Sequence, residues 1–141
     1  MTVPQPISTN TAPKPVGAYP HARRAGSLLF LSGIGPRSAA DNSIPGNVYA
    51  ADGKLVEYDI EAQCRSVFAN VDAVLAASGA RVDQLVDITV FLTDMQGDFK
   101  TMNRLYAEHF GKAQPCRTTV EISSLPTPIA IELKCTAYLG D

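Results

Sequence analysis

Two stretches of this chain repeat their apolar residues at helical spacing, and several others alternate between apolar and polar positions. Ile60, Cys64, Val67, Phe68, Val71, Val74 and Leu75 share one stripe, which predicts a helix opened by Asp59 as N-cap and stopped by Gly79. A second helix is predicted from near Gly97-Asp98 to Gly111, with Phe99, Met102, Leu105, Tyr106 and Phe110 along one side. Between them Val86 to Thr93 alternates, placing Val86, Ile88, Val90 and Leu92 on one face and Asp87, Thr89, Phe91 and Thr93 on the other. Further strands are predicted at Ser27 to Ser32, about Arg117 to Ile122, and Ile129 to Leu139. Strands interrupted by two long helices predict an α+β fold, a sheet with helices covering one face.

The rest of the pattern is irregular. Pro4, Pro6, Pro13 and Pro15 make residues 1–18 an extended arm that lies along the body or pairs at an edge. Arg37 to Tyr49 is polar and reads as a loop, and Asp52-Gly53 as a tight turn before Lys54-Leu55-Val56. At 141 residues the whole chain fits one domain. Thr89, Phe91, Thr118, Val120 and Ile122 leave the second face of the late strands too poor in charge for full solvation. Burial against other subunits in a ring-symmetric homo-oligomer resolves this.

Composition narrows the class. A net charge of -2 gives no broad attraction to nucleic acid, and no apolar run approaches the ~20 residues that span a bilayer. Residues 1–27 are polar and proline-containing, without a signal-peptide apolar stretch, so a cytoplasmic setting is expected. Cys64, Cys116 and Cys135 lack C-x-x-C spacing and stand at apolar positions. They read as buried free thiols rather than a disulfide framework or a zinc site.

Candidate chemistry concentrates near the carboxyl end. Arg117, in Pro115-Cys116-Arg117-Thr118-Thr119-Val120, and Glu132, in Ala130-Ile131-Glu132-Leu133-Lys134, are charges in strand-like segments. A guanidinium there forks onto a carboxylate, and a carboxyl holds or protonates what reacts beside it. Arg117 shares a face with Thr119, and Glu132 with Lys134, so adjacent strands would line one cleft with all four. A cross-strand salt bridge accounts for the same charges. Ser32-Gly33-Ile34-Gly35 is no phosphate loop, because Ser38 stands where the third glycine belongs, although its turn could offer backbone N–H groups. No G-x-S-x-G motif is present. His109 is explained by a helix end, His21 by a surface position beside Arg23 and Arg24, and Asp94 and Asp98 as loop acids at a helix start. Tyr19, among glycine and proline, serves either arm packing or a pocket.

Taken together, Val16-Gly17-Ala18-Tyr19, Leu29-Phe30-Leu31-Ser32-Gly33, Asp59-Ile60-Glu61-Ala62-Gln63, Val90-Phe91-Leu92-Thr93-Asp94, Asn103 before Tyr106, Pro115-Cys116-Arg117-Thr118-Thr119-Val120-Glu121 and Ile131-Glu132 resemble the RidA (YjgF/YER057c/UK114) family from about Thr9 to Tyr138. The resemblance implies a chorismate-mutase-like α+β domain with a mixed sheet and two long helices packed on one face. It further implies a homotrimer with a barrel-like sheet core and sites between subunits, leaving open whether two trimers pair. Members hydrolyse enamines and imines to ketones and ammonia without metal or cofactor. The family's carboxylate-binding arginine falls on Arg117 and its proton-handling glutamate on Glu132, while Tyr19, Gly33, Asn103 and Thr119 match other pocket positions. Ile34 stands at the pocket where the common pattern has glutamine, and Thr119 where it often has cysteine. The loop Pro36 to Asp52 is longer than usual, and its Arg37-Ser38-Ala39-Ala40-Asp41-Asn42-Ser43-Ile44-Pro45-Gly46 resembles 2-aminomuconate deaminases. Arg37 and Lys134 are then candidates for a second substrate carboxylate. The alternatives are a general deaminase of reactive 2-imino acids and a non-catalytic trimer that binds small acids. Ribonuclease activity, also attached to this family, fits poorly with an acidic chain.

Overall fold

The computed structural model describes residues 5–140; residues 1–4 of the expected arm, Pro4 among them, and Asp141 lie outside it. In chain order the elements are β1 (Pro6–Ile7), β2 (Ala22–Ala25), β3 (Leu28–Leu31), β4 (Val48–Tyr49), β5 (Leu55–Glu57), α1 (Ile60–Ala77), β6 (Leu85–Leu92), α2 (Met95–Phe110), β7 (Cys116–Glu121) and β8 (Ile131–Tyr138). A six-stranded sheet runs β1-β2-β3-β8-β6-β7, and β4-β5 form a separate hairpin. Among the described residues only the β6–β7 pairing is parallel, so the sheet is mixed.

Both helices cover one face, as the sequence pattern predicts. Val67, Val71, Val74 and Leu75 of α1 and Met102, Leu105 and Phe110 of α2 are buried in one cluster with Leu29, Leu31, Ile88, Val90, Leu92, Leu133 and Cys135 of the sheet. α1 begins where Asp59 accepts a hydrogen bond from the Ala62 N–H at 3.1 Å. It stops at Ala77, and just beyond it Gly79 turns the chain with a φ of 72° that suits a residue without a side chain. α2 starts at Met95, earlier than the apolar spacing suggests, because Asp94 caps it by accepting from the Gly97 N–H at 3.0 Å.

Several expectations need correction. Asp98 is no loop acid: it lies within α2, 6% exposed, and accepts a hydrogen bond from the Tyr58 hydroxyl at 2.7 Å. Val86 faces solvent, because an irregularity between Leu85 and Asp87 lets Leu85 take the inward place. His21 is buried at 7% exposure, not on the surface. Its Nδ1 accepts from the Thr9 N–H at 3.2 Å and its Nε2 donates to the Pro13 carbonyl at 2.8 Å, which stitches the arm to the body. The arm then pairs at the sheet edge, Pro6 opposite Arg23. His109 bridges the helices, 2.9 Å from the Asp72 carboxylate and stacked near Phe68. Cys64 and Cys135 are buried and their thiols pushed up to about 12 by burial, whereas Cys116 is exposed.

The face away from the helices keeps Leu28, Phe30 and Tyr138 exposed, beside half-buried Phe91 and Val120. No helix among the described residues is long and apolar enough to cross a membrane.

Candidate functional site

Strand register decides where the two candidate charges point. Arg117 pairs with Ile88, and Ile88 with Cys135, both fully buried beneath the helices. Glu132 pairs with Phe91, one position out of phase, and so projects from the opposite face. Strand β6 separates β7 from β8. The single cleft expected for Arg117, Thr119, Glu132 and Lys134 is therefore not formed within one chain. A salt bridge between Arg117 and Glu132 is absent as well among the described residues.

Glu132 lines a cavity of about 370 Å³ together with Tyr19, Gly33, Arg37, Thr127 and Ile129. An antiparallel bridge between Ile34 and Leu133, with N–H to carbonyl distances of 2.9 Å in both directions, lays Gly33 beside the glutamate. A Cβ on Gly33 would overlap the Glu132 carboxyl, so glycine is what allows that approach. Ile34 itself points into the core. Its backbone pairs with Leu133, and Ile34 also lines a second, narrower cavity with Tyr19, Gly33 and Arg37. Burial raises the Glu132 pKa above its ordinary value, and the positive charge of Arg37 pulls it back. Tyr19 is 42% exposed and contributes to the cavity wall, its hydroxyl accepting from the Val16 N–H at 3.3 Å.

The approach to β8, which carries Ile129 of the cavity wall, is held by a buried amide. Gln63 accepts from the Ala130 N–H at 2.8 Å and donates to Asn47 at 3.1 Å, tying α1 to the segment that enters β8. Lys134 does not line the cavity. Its ammonium donates to the Leu31 carbonyl and lies 5.9 Å from the centre of the Phe30 ring, and burial lowers its pKa.

The second cluster is on the helix side, at the edge strand. The Arg117 guanidinium lies 4.7 Å from the centre of the Tyr106 ring and 5.8 Å from that of Phe99. Both rings fit the apolar stripe of α2, so the sequence hides them among packing residues; in the structure Phe99 is exposed. Asn103 is exposed on α2, four residues after Phe99 and so on the same side of the helix. The hydroxyls of Thr119 and Tyr106 are buried without a hydrogen-bond partner among the described residues. Orphaned polar atoms of this kind ask for an explanation, and here they flank an arginine whose guanidinium lies over two aromatic rings. The described residues hold no group of His, Cys, Asp and Glu that could ligate a metal.

The fold has counterparts in known proteins. The model of a family described as Endoribonuclease L-PSP matches residues 9–139. A RutC family protein of Pyrococcus horikoshii is 40% identical over 94% of this chain and 95% of its own. The chloroplastic Reactive Intermediate Deaminase A of Arabidopsis thaliana is 37% identical over 94% of this chain and 65% of its own. The crystal structure of E. coli TdcF with bound serine superposes with a TM-score of 0.81 at 31% identity, covering 95% of this chain and 98% of that one. This chain belongs to the Rid family, the RidA/YjgF group of α+β proteins.

Proposed function

We propose that three copies of this chain form a ring in which the Arg117 cluster of one subunit meets the Glu132 cavity of the next, and that the composite site deaminates 2-aminomuconate. The supporting observation is the placement of Arg117 and Glu132 on opposite faces of one sheet, Glu132 in a cavity and Arg117 over aromatic rings. The two complete one another only across subunits. The exposed apolar residues Leu28, Phe30 and Tyr138, on the face away from the helices, supply surface for that contact.

In this reading Arg117 forks onto the carboxylate next to the amino-bearing carbon. Protonation of the enamine at carbon, with loss of a proton from nitrogen, gives the imine. Glu132 positions a water molecule and takes its proton as the oxygen adds to the imine carbon. That proton and then the hydroxyl proton of the adduct pass to nitrogen, the C–N bond breaks to leave the carbonyl, and ammonia departs. The balance is enamine plus water to 2-oxo acid plus ammonia, with no electrons exchanged. The Arabidopsis relative's name as a reactive intermediate deaminase supports the reaction class. The likeness of residues 37–46 to 2-aminomuconate deaminases supports the substrate.

The test compares ammonia release from 2-aminomuconate and from 2-iminopropanoate. Preference for the first supports the specific reading, and preference for the second assigns the general deaminase instead. The serine bound in TdcF favours one further reading, a small-acid binder without chemistry. Glu132→Gln separates them: it abolishes turnover in a deaminase and leaves a binder's affinity intact.

A further inference from the structure

Arg37 occupies a built position inside the Glu132 cavity. Three successive carbonyls at the stem of its loop are held by α1. The Asn70 amide donates to the Gly35 and Arg37 carbonyls at 2.9 and 2.8 Å, and the Ser66 hydroxyl to Pro36 at 2.7 Å. The backbone of Arg37 is thereby fixed to a core helix. Its side chain is oriented in turn, with Nη1 donating to the Asn42 side-chain oxygen at 3.0 Å and Nη2 to the Lys14 carbonyl at 2.7 Å. Asn42 is itself held in a tight loop at φ 64°, its N–H donating to the Ser38 carbonyl at 2.9 Å.

Both partners of this guanidinium are neutral, and among the described residues it enters no ion pair. The remaining N–H groups of its fork are left for a ligand in the cavity it lines. An anionic group entering beside Glu132 needs a cation to offset the repulsion of that carboxylate, and Arg37 is the cation that lines this cavity. Lys134, the other candidate, is already engaged by the Leu31 carbonyl.

We infer that Arg37 is a second anion subsite, which selects substrates carrying a carboxylate remote from the reacting carbon. The inference rests on the deaminase reading for its chemistry, but binding through Arg37 does not require turnover. Dicarboxylates pair both ends of the site, whereas monocarboxylates leave an oriented guanidinium without its counter-charge.

The experiment measures kcat/KM for 2-aminomuconate and 2-iminopropanoate in wild type, Arg37→Gln, Arg37→Lys and Asn42→Ala. Calorimetry in parallel follows cis,cis-muconate and crotonate, two inert acids with two carboxylates and one. In Arg37→Gln the dicarboxylate to monocarboxylate ratio falls on the order of 30-fold, by turnover and by affinity alike. Arg37→Lys restores part of the ratio. Asn42→Ala, which keeps the charge and loosens its aim, gives an intermediate fall should the glutamine variant fold poorly. Parallel losses for both acids would make Arg37 merely a clamp on the arm at Lys14 and overturn the subsite, as would indifference to every substitution. Wild-type protein that binds muconate through Arg37 yet turns over neither substrate retains the subsite and removes the deaminase reading. Turnover of both substrates without dependence on Arg37 does the reverse.

Discussion

Arg117 and Glu132 lie on opposite faces of the same sheet, Arg117 in register with Ile88 beneath the helices and Glu132 in register with Phe91 on the open side. No rotamer change brings two side chains through a hydrogen-bonded sheet. If both serve one substrate, a second subunit must provide one of them.

That requirement makes complementation a direct test. The Arg117→Ala and Glu132→Gln variants are each expected to be inactive alone. After joint unfolding and refolding at equal amounts, random assembly should leave about a quarter of the interfaces with both wild-type groups, and activity should return in that proportion. Mixing that restores no activity would place both functions within one chain, against the register described.

Arg117→Lys keeps the charge and removes the fork. The planar guanidinium stacks against Tyr106, 4.7 Å from its ring centre, and a lysine ammonium cannot reproduce both that stacking and a bidentate grip. KM should rise on the order of 10- to 100-fold with a smaller change in kcat, read from steady-state kinetics. Kinetics equal to wild type would leave Arg117 with no anchoring role.

How much of this was legible in the sequence follows from which physics is local. α1 was readable because its stripe, its Asp59 cap and its Gly79 stop agree, and each acts within a few residues. The start of α2 was misplaced because Asp94 looked like a loop acid, while its side chain is the cap. β2 was missed because Ala22–Ala25 carries Arg23 and Arg24, whose side chains stay exposed at the sheet margin. His21 could not be found buried from its neighbours, since its partners Thr9 and Pro13 lie across the arm. For the site, motif resemblance picked out Arg117, Glu132, Tyr19 and Gly33. It could not reveal that β6 intervenes between β7 and β8, which is a matter of topology rather than of spacing.

Gly33→Ala tests the close approach of backbone and carboxyl. The added Cβ meets the far end of the Glu132 side chain rather than any backbone atom. The carboxyl can swing away at a stability change under about 1 kcal/mol, because nothing in the core is displaced. Its aim at the cavity is lost, however, and kcat should drop on the order of 10-fold or more while the thermal midpoint moves little. A large loss of stability with kcat preserved would contradict this picture of Gly33 as clearance for Glu132.

Glu132 gives a pH signature with a definite sign. Burial holds its carboxyl above the ordinary 4.5, with Arg37 opposing, so the folded protein binds this proton more tightly than the unfolded chain does. Its stabilising contribution is then fully present below 4.5 and is lost as pH rises through the higher folded value. Glu132→Gln stays neutral throughout, so its thermal midpoint should gain on wild type as pH rises above 4.5. The chemistry runs the other way, because Glu132 must be ionised to take a proton from water. The ascending limb of kcat/KM against pH should lie above 4.5 in wild type. It should move higher still in Arg37→Gln, where the opposing positive charge is gone. A limb at or below 4.5, or one that moves down on loss of Arg37, would show that a different group handles the proton.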